Sequence, residues 1–338
     1  MKKLVAVSML LLGAGWYGGD AKLLGAADPV QSSTALSADT ETRDLQVILL
    51  GTGAGPPPNA RRFGISTLVV AGTEKLMFDC GRAATIRMSQ LGLWIGDVTK
   101  LFVTHLHSDH VVGIPDLYLA GWTGRGRKGP FQVWGPAGTR SMMEHIEKAF
   151  AFDIHVRRDL DERLSSQGIQ VRATDIEQGV VHEANGVKVT AFLVDHGPVK
   201  PAFGYRVDYK GRSVVLSGDT EPSDNLVRFS RGVDLLIHEV GRFKKDPELS
   251  GPPDDVLPDG RTRRQAQAAA AHHTDGVEAG QIFSQVKPRL AVFSHGGTPD
   301  AIPLVRRGYS GPVEIGEDMM TINVGEKIEI RRFKSDSR

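Results

Sequence analysis

Cysteine is almost absent from this chain: Cys80 is the only one in 338 residues. A disulfide framework, a thiolate zinc site and a redox pair are therefore excluded within one chain. Charge of one sign is missing too. Lys and Arg number 41 against 40 Asp and Glu, a formal +1, so no global field recruits an anionic membrane or a polyanion, and no specific nucleic acid is expected as a partner. No apolar run reaches the ~20 residues that a membrane span needs. The longest at the start, Leu4 to Gly15, follows Lys2 and Lys3 and precedes the small residues Gly25-Ala26-Ala27. That pattern predicts a signal peptide over 1–27 and a periplasmic or secreted chain with no stable membrane insertion once the signal is cleaved. Residues 28–43, rich in Ser, Thr, Asp and Ala, read as a linker, and a single domain is expected over 44–333.

What the chain does have is histidine in one place. Thr104-His105-Leu106-His107-Ser108-Asp109-His110 follows the apolar run Leu101-Phe102-Val103, which reads as a short buried strand. Beyond it, Val111 to Ala120 has helical spacing, so the motif occupies a strand-to-helix turn. His105 and His107, two apart, can aim the same way from an extended backbone. Asp109 and His110 are adjacent and must diverge on entering a helix. One turn thus offers ligands in two directions, which suits two neighbouring metal ions. Imidazole with carboxylate favours zinc, with iron or manganese as further options.

The same theme recurs along the chain. A first strand, Leu45 to Leu50, enters Gly51-Thr52-Gly53-Ala54-Gly55-Pro56-Pro57-Pro58. The glycines suggest a dinucleotide loop, but three prolines where its helix should begin exclude one, so the loop is expected to line a cleft. Cys80 reads as a small core residue. The cations Arg125, Arg127 and Lys128 lie in a glycine-rich stretch whose stronger reading is a solvated loop. Then His196, Asp219, His238-Glu239 and His295 each follow a predicted strand, and His272-His273 precedes a helix running to Val286. Ligands in α/β sheets collect at one edge of the strands.

The run from His105 to His110, with His196, Asp219 and His295 downstream in that order, resembles the metallo-β-lactamase superfamily. Details bring it nearest the branch of ribonuclease Z and the related arylsulfatase-like enzymes: Leu50-Gly51-Thr52-Gly53, Gly204-Tyr205-Arg206-Val207, Ser217-Gly218-Asp219-Thr220, His238-Glu239-Val240 and His272-His273-Thr274. The resemblance implies an α/β fold, a four-layer αββα sandwich, and two divalent ions, with zinc the first choice. One ion would sit on His105, His107 and His196, the other on Asp109, His110 and His295, with Asp219 bridging. It also implies that Asp109 orients or deprotonates the attacking water and that His273, oriented by Glu239, protonates the leaving group. A homodimer is a further implication. Ribonuclease Z enzymes of this type carry a long transfer-RNA-gripping arm between the strand of Gly204 and the turn of Asp219. Here that interval is a plain hairpin. The expectation is therefore an exported binuclear hydrolase of a small anionic ester, a phosphodiester or an aryl sulfate. The alternatives are a ribonuclease Z-like phosphodiesterase or nuclease, a lactone or β-lactam hydrolase, and a metal-binding protein without turnover.

Overall fold

The computed structural model describes residues 45–333. The expected signal peptide and linker, residues 1–43, lie outside the described residues. Among those described, no helix is long and apolar enough to cross a membrane.

Among the described residues, fifteen strands form two mixed sheets. The first runs in the order β15 (Ile328–Arg331), β14 (Met320–Val324), β1 (Gln46–Gly51), β2 (Ser66–Ala71), β3 (Glu74–Phe78), β4 (Lys100–Phe102), β5 (Phe131–Gly135) and β6 (Val171–Asp175). The second runs β13 (Val313–Ile315), β12 (Leu290–Gly296), β11 (Leu235–Val240), β10 (Arg212–Leu216), β9 (Val199–Tyr209), β8 (Val187–His196) and β7 (Gly179–Ala184). Strands β3 to β6 are parallel, as are β10 to β13.

The central strands read as unbroken apolar runs because both faces of each sheet are covered. Val47 and Leu49 of β1 point into the core between the sheets, while Ile48 and Leu50 point outward. In β10, Val214 and Leu216 face inward and Val215 outward. The outer face of the first sheet is covered by α1 (Ala84–Gln90), α3 (Ile114–Ala120), α4 (Thr139–Ala149) and α5 (Ala151–His155). That of the second is covered by α6 (Asp224–Phe229), α8 (Gly276–Val286) and α9 (Ala301–Val305). The result is the expected αββα sandwich. A satellite cluster of Leu249, Leu257, Ala266 and Ala270 lies beneath α7 (Arg263–Ala271).

Two readings needed adjustment. The helix expected over 111–120 is split into α2 (Ser108–Val111) and α3. At the break, the Gly113 amide donates to the Cys80 carbonyl at 2.9 Å, and a Cβ at Gly113 would lie 2.2 Å from the Gly81 carbonyl oxygen. The edge strands β6, β7 and β15 carry no apolar run in the sequence, because each leaves much of its surface in water. The cations at 125–128 divide: Arg125 and Lys128 are exposed, whereas Arg127 is buried and its guanidinium caps the carbonyls of Leu117 and Tyr118 at the end of α3.

Candidate metal centre

Because β3, β4, β10, β11 and β12 share one polarity within their sheets, their C-terminal ends meet at one edge of the sandwich. Asp79 follows β3, His105 follows β4, Asp219 follows β10, Glu239 lies near the end of β11 and His295 near the end of β12. The β8–β9 hairpin adds His196.

All seven expected ligands converge there. His105, His107 and His196 form one group of ligand atoms, Asp109, His110 and His295 a second, and Asp219 joins His105 and His110 in a third. The Nε2 atoms of His105 and His196 lie 3.0 and 3.3 Å from Nδ1 of His107. Asp219 Oδ2 is 3.4 Å from His110 Nε2, and its Oδ1 is 3.3 Å from His295 Nδ1. Asp109 Oδ2 sits 3.2 Å from His295 Nε2 and accepts the Gly55 amide at 3.0 Å. The glycine–proline loop therefore lines the site, as expected.

Tautomers are set from outside. The Nδ1–H of His196 donates to the His272 carbonyl at 2.9 Å. Asp79 accepts from His110 Nδ1, from the Thr104 amide and from the Thr104 hydroxyl, each at 2.8 Å. Having spent its proton on Asp79, the Thr104 hydroxyl can accept from His105 Nδ1 at 3.1 Å. All three imidazoles aim Nε2 at the centre, His105 and His196 with a free lone pair on it. One proton on His107 Nδ1 could satisfy only one of the two Nε2 atoms facing it. Among the described residues, His110 Nε2 and Asp219 Oδ1 are buried with no hydrogen-bond partner. Converging lone pairs with too few protons between them fit divalent cations, the chemistry that this donor set binds.

The electrostatics agree. Burial pushes His105 well below the ordinary imidazole range, lowers His107 and brings His196 down to about 4, so these rings are neutral. Burial also acts against charge on His110 and on the carboxylates. Asp219 and Asp79 nevertheless raise His110 well above its usual value, and the neighbouring histidines hold Asp109 and Asp219 below theirs. The site thus has a field that favours added positive charge.

Beside it, His273 Nδ1 lies 2.7 Å from Glu239 Oε2, whose other oxygen accepts the Thr220 amide at 2.6 Å. Burial disfavours the charged ring, but Glu239 and then Asp219 outweigh it and bring His273 up to about 9. His238 takes no part: it is buried edge-on against Phe283 in the outer core. His272 acts through its carbonyl. Its ring packs on Gly197 (φ +54°), where a Cβ would fall 2.1 Å from Nδ1. Asp79 and the Gly55 amide were not singled out in the sequence. The signal for Asp79 was its place at the end of β3, the same placement that marks the ligands.

Fold and site together define a metal-dependent hydrolase. A family model described as a beta-lactamase superfamily domain matches residues 76–296. Ribonuclease Z of Mycolicibacterium gilvum is 31% identical over 289 residues, covering 83% of this chain and 96% of that one. Among solved structures, the metallo-beta-lactamase fold protein YhfI from Bacillus subtilis superposes with a TM-score of 0.63 at 18% identity, over 82% of this chain and 98% of that one. Human tRNase Z, short form, gives 0.58 at 22% identity, over 83% and 99%. The chain belongs to the metallo-β-lactamase superfamily, in the branch that holds ribonuclease Z.

These relatives overturn the expected partner, a small anionic ester with no nucleic acid. Two steps behind it fail on physical grounds. Net charge sums the whole chain, whereas a substrate meets the local field of the site. The missing arm is real, since β9 turns directly into β10 with Tyr209 paired to Arg212. It does not separate the chain from ribonuclease Z, however. An alignment of 289 positions that takes in 83% of this chain and 96% of the M. gilvum relative leaves no room there for a long arm either.

Proposed function

We propose that this chain is a metal-dependent RNA phosphodiesterase of the ribonuclease Z kind, working with two divalent ions, zinc foremost. The observation that carries this reading is the meeting of seven imidazole and carboxylate side chains, lone pairs inward, beside a histidine–glutamate pair. His105, His107 and His196 would hold one ion, and Asp109, His110 and His295 the other, with Asp219 between them. Two such ions, when bound, supply a Lewis-acidic centre that binds phosphate oxygens and lowers the pKa of water. Asp109, fixed by the Gly55 amide, presents a carboxylate at the edge of this centre. His273 gives Nδ1–H to Glu239 and keeps Nε2 for the substrate. The Glu239 carboxylate favours the charged form of the ring, from which Nε2 can pass a proton to the leaving oxygen.

The reading is tested by giving zinc- or manganese-loaded protein a 3′-extended precursor transfer RNA and an unstructured RNA of equal length. Cleavage that EDTA and Asp219→Ala both abolish is the expected result. Protein carrying its full metal complement that cuts neither RNA would refute it.

A further inference from the structure

Two loops that carry no expected ligand are tied together behind one half of the centre. Asp318, whose side chain is 5% exposed, lies just before β14. Its Oδ1 accepts the amide and hydroxyl of Thr52 at 2.9 and 2.8 Å. Its Oδ2 accepts the Phe63 amide at 2.7 Å and pairs with Arg87 at 2.9 Å. One carboxylate therefore grips both ends of the loop 52–63. Arg62 continues the tie, donating to the Thr52 hydroxyl at 2.9 Å and to the carbonyls of Gly297 and Gly316 at 2.6 and 3.1 Å.

The gripped loop reaches the centre twice. The Gly55 amide donates to Asp109 at 3.0 Å, and the Thr52 carbonyl accepts the Gly296 amide at 3.2 Å. The second contact lies on a strained turn. His295, Gly296 and Gly297 have φ of +59°, +101° and +64°. A non-glycine residue in the left-handed region persists only where its surroundings over-determine it. Here Thr52 holds the residue after His295, and Arg62 holds the one after that. His105 and His196 are placed instead by Thr104 and by the His272 carbonyl, and His107 Nδ1 meets only their two Nε2 atoms.

We propose that Asp318, acting through Thr52 and Arg62, is a positioning residue for the half-site of Asp109, His110 and His295, and leaves the half-site of His105, His107 and His196 untouched. The inference rests on the two-ion reading above. Removing a partner that orients metal ligands weakens binding by about ten- to a hundredfold, and here one ion of the two should show the loss.

The experiment is a zinc competition titration with a chromophoric chelator, and elemental analysis after dialysis, on full-length wild type, Asp318→Asn and Thr52→Val. Thr52→Val removes the hydroxyl between Asp318 and Arg62 at constant volume, and it decides the matter if Asp318→Asn does not fold. Wild type should hold two ions. Each variant should hold one with unchanged affinity and the second about ten- to a hundredfold more weakly, and adding His295→Ala should worsen the second no further than His295→Ala alone. Asp234→Asn is the structural control. It removes a buried carboxylate that bonds the Ser213 amide and Arg289 away from the site, and it should keep both ions. Two wild-type affinities in Asp318→Asn and Thr52→Val, or equal weakening of both ions, would overturn the inference alone. A wild type that binds only one ion would take the two-ion reading down with it.

Discussion

Asp79→Asn should damage metal binding far more than folding. Asp79 is buried at φ +54°, a conformation that asparagine also tolerates, so the backbone has no reason to move. The present carboxylate accepts three bonds, from the Thr104 amide on Oδ1 and from the Thr104 hydroxyl and His110 Nδ1 on Oδ2. An amide group cannot accept all three. If its oxygen keeps the Thr104 amide, its NH2 faces His110 Nδ1, which must then accept and carry its proton on Nε2. That atom lies 3.4 Å from Asp219 Oδ2 and 3.8 Å from Asp109 Oδ2, and once protonated it offers no lone pair. If the amide is flipped, its NH2 opposes the buried Thr104 N–H. An unsatisfied buried donor costs about 1–3 kcal/mol, which the fold should survive. Loss of the orienting partner should weaken the ion at His110 by about ten- to a hundredfold. Urea unfolding of metal-free protein measures the first quantity and chelator competition the second. Asp79→Asn protein that is folded and binds both ions as wild type does would show that Asp79 does not set the His110 tautomer.

His273→Gln should keep both ions while RNA cleavage falls by about 10²- to 10⁴-fold, the range for a lost general acid, as read by metal analysis beside turnover at saturating metal. Asp219→Ala should lose metal and activity together, since its Oδ2 faces His105 and His196 of one half-site as well as His110 of the other, and its Oδ1 faces His295; retention of two ions would contradict that. For pH, the sign follows from His196, held at about 4 when folded against roughly 6.5 when unfolded. The unfolded chain takes up the proton first, so metal-free protein should lose stability as pH falls from about 6.5 to about 4. Urea midpoints measured across that range should be flatter in His196→Gln.

Strand-end histidines and aspartates were legible because their chemistry dictates both residue type and place. Only a few side chains bind a divalent ion, and parallel strands deliver them to one edge, so His105 to His110, His196, Asp219 and His295 could be read one after another. The central strands were legible for a related reason, since strands buried on both faces leave unbroken apolar runs such as Val47 to Leu50, while the four-layer sandwich was implied by the resemblance to the superfamily. Edge strands β6 and β15 left no such trace.

The supports of the site escaped a linear reading because hydrogen bonding constrains residue type far less. Thr104 sets a tautomer with a hydroxyl, Gly55 fixes Asp109 with a backbone amide that any residue but proline would supply, and His272 serves through its carbonyl. Their partners are also remote in sequence: Thr52 and Asp318 stand 266 positions apart. A ligand declares itself by what it is, whereas a support declares itself only by what it touches. The substrate was misjudged for the same reason, since net charge and a hairpin's length are properties of the chain, while recognition belongs to the few groups that the fold brings to one edge. It follows that variants at the supports, more than at the ligands, will separate how this centre is held from what it does. A ligand variant removes the ion and its chemistry at once, but a support variant such as Asp79→Asn or Thr52→Val leaves every donor atom in the chain and changes only where it points or which nitrogen carries its proton.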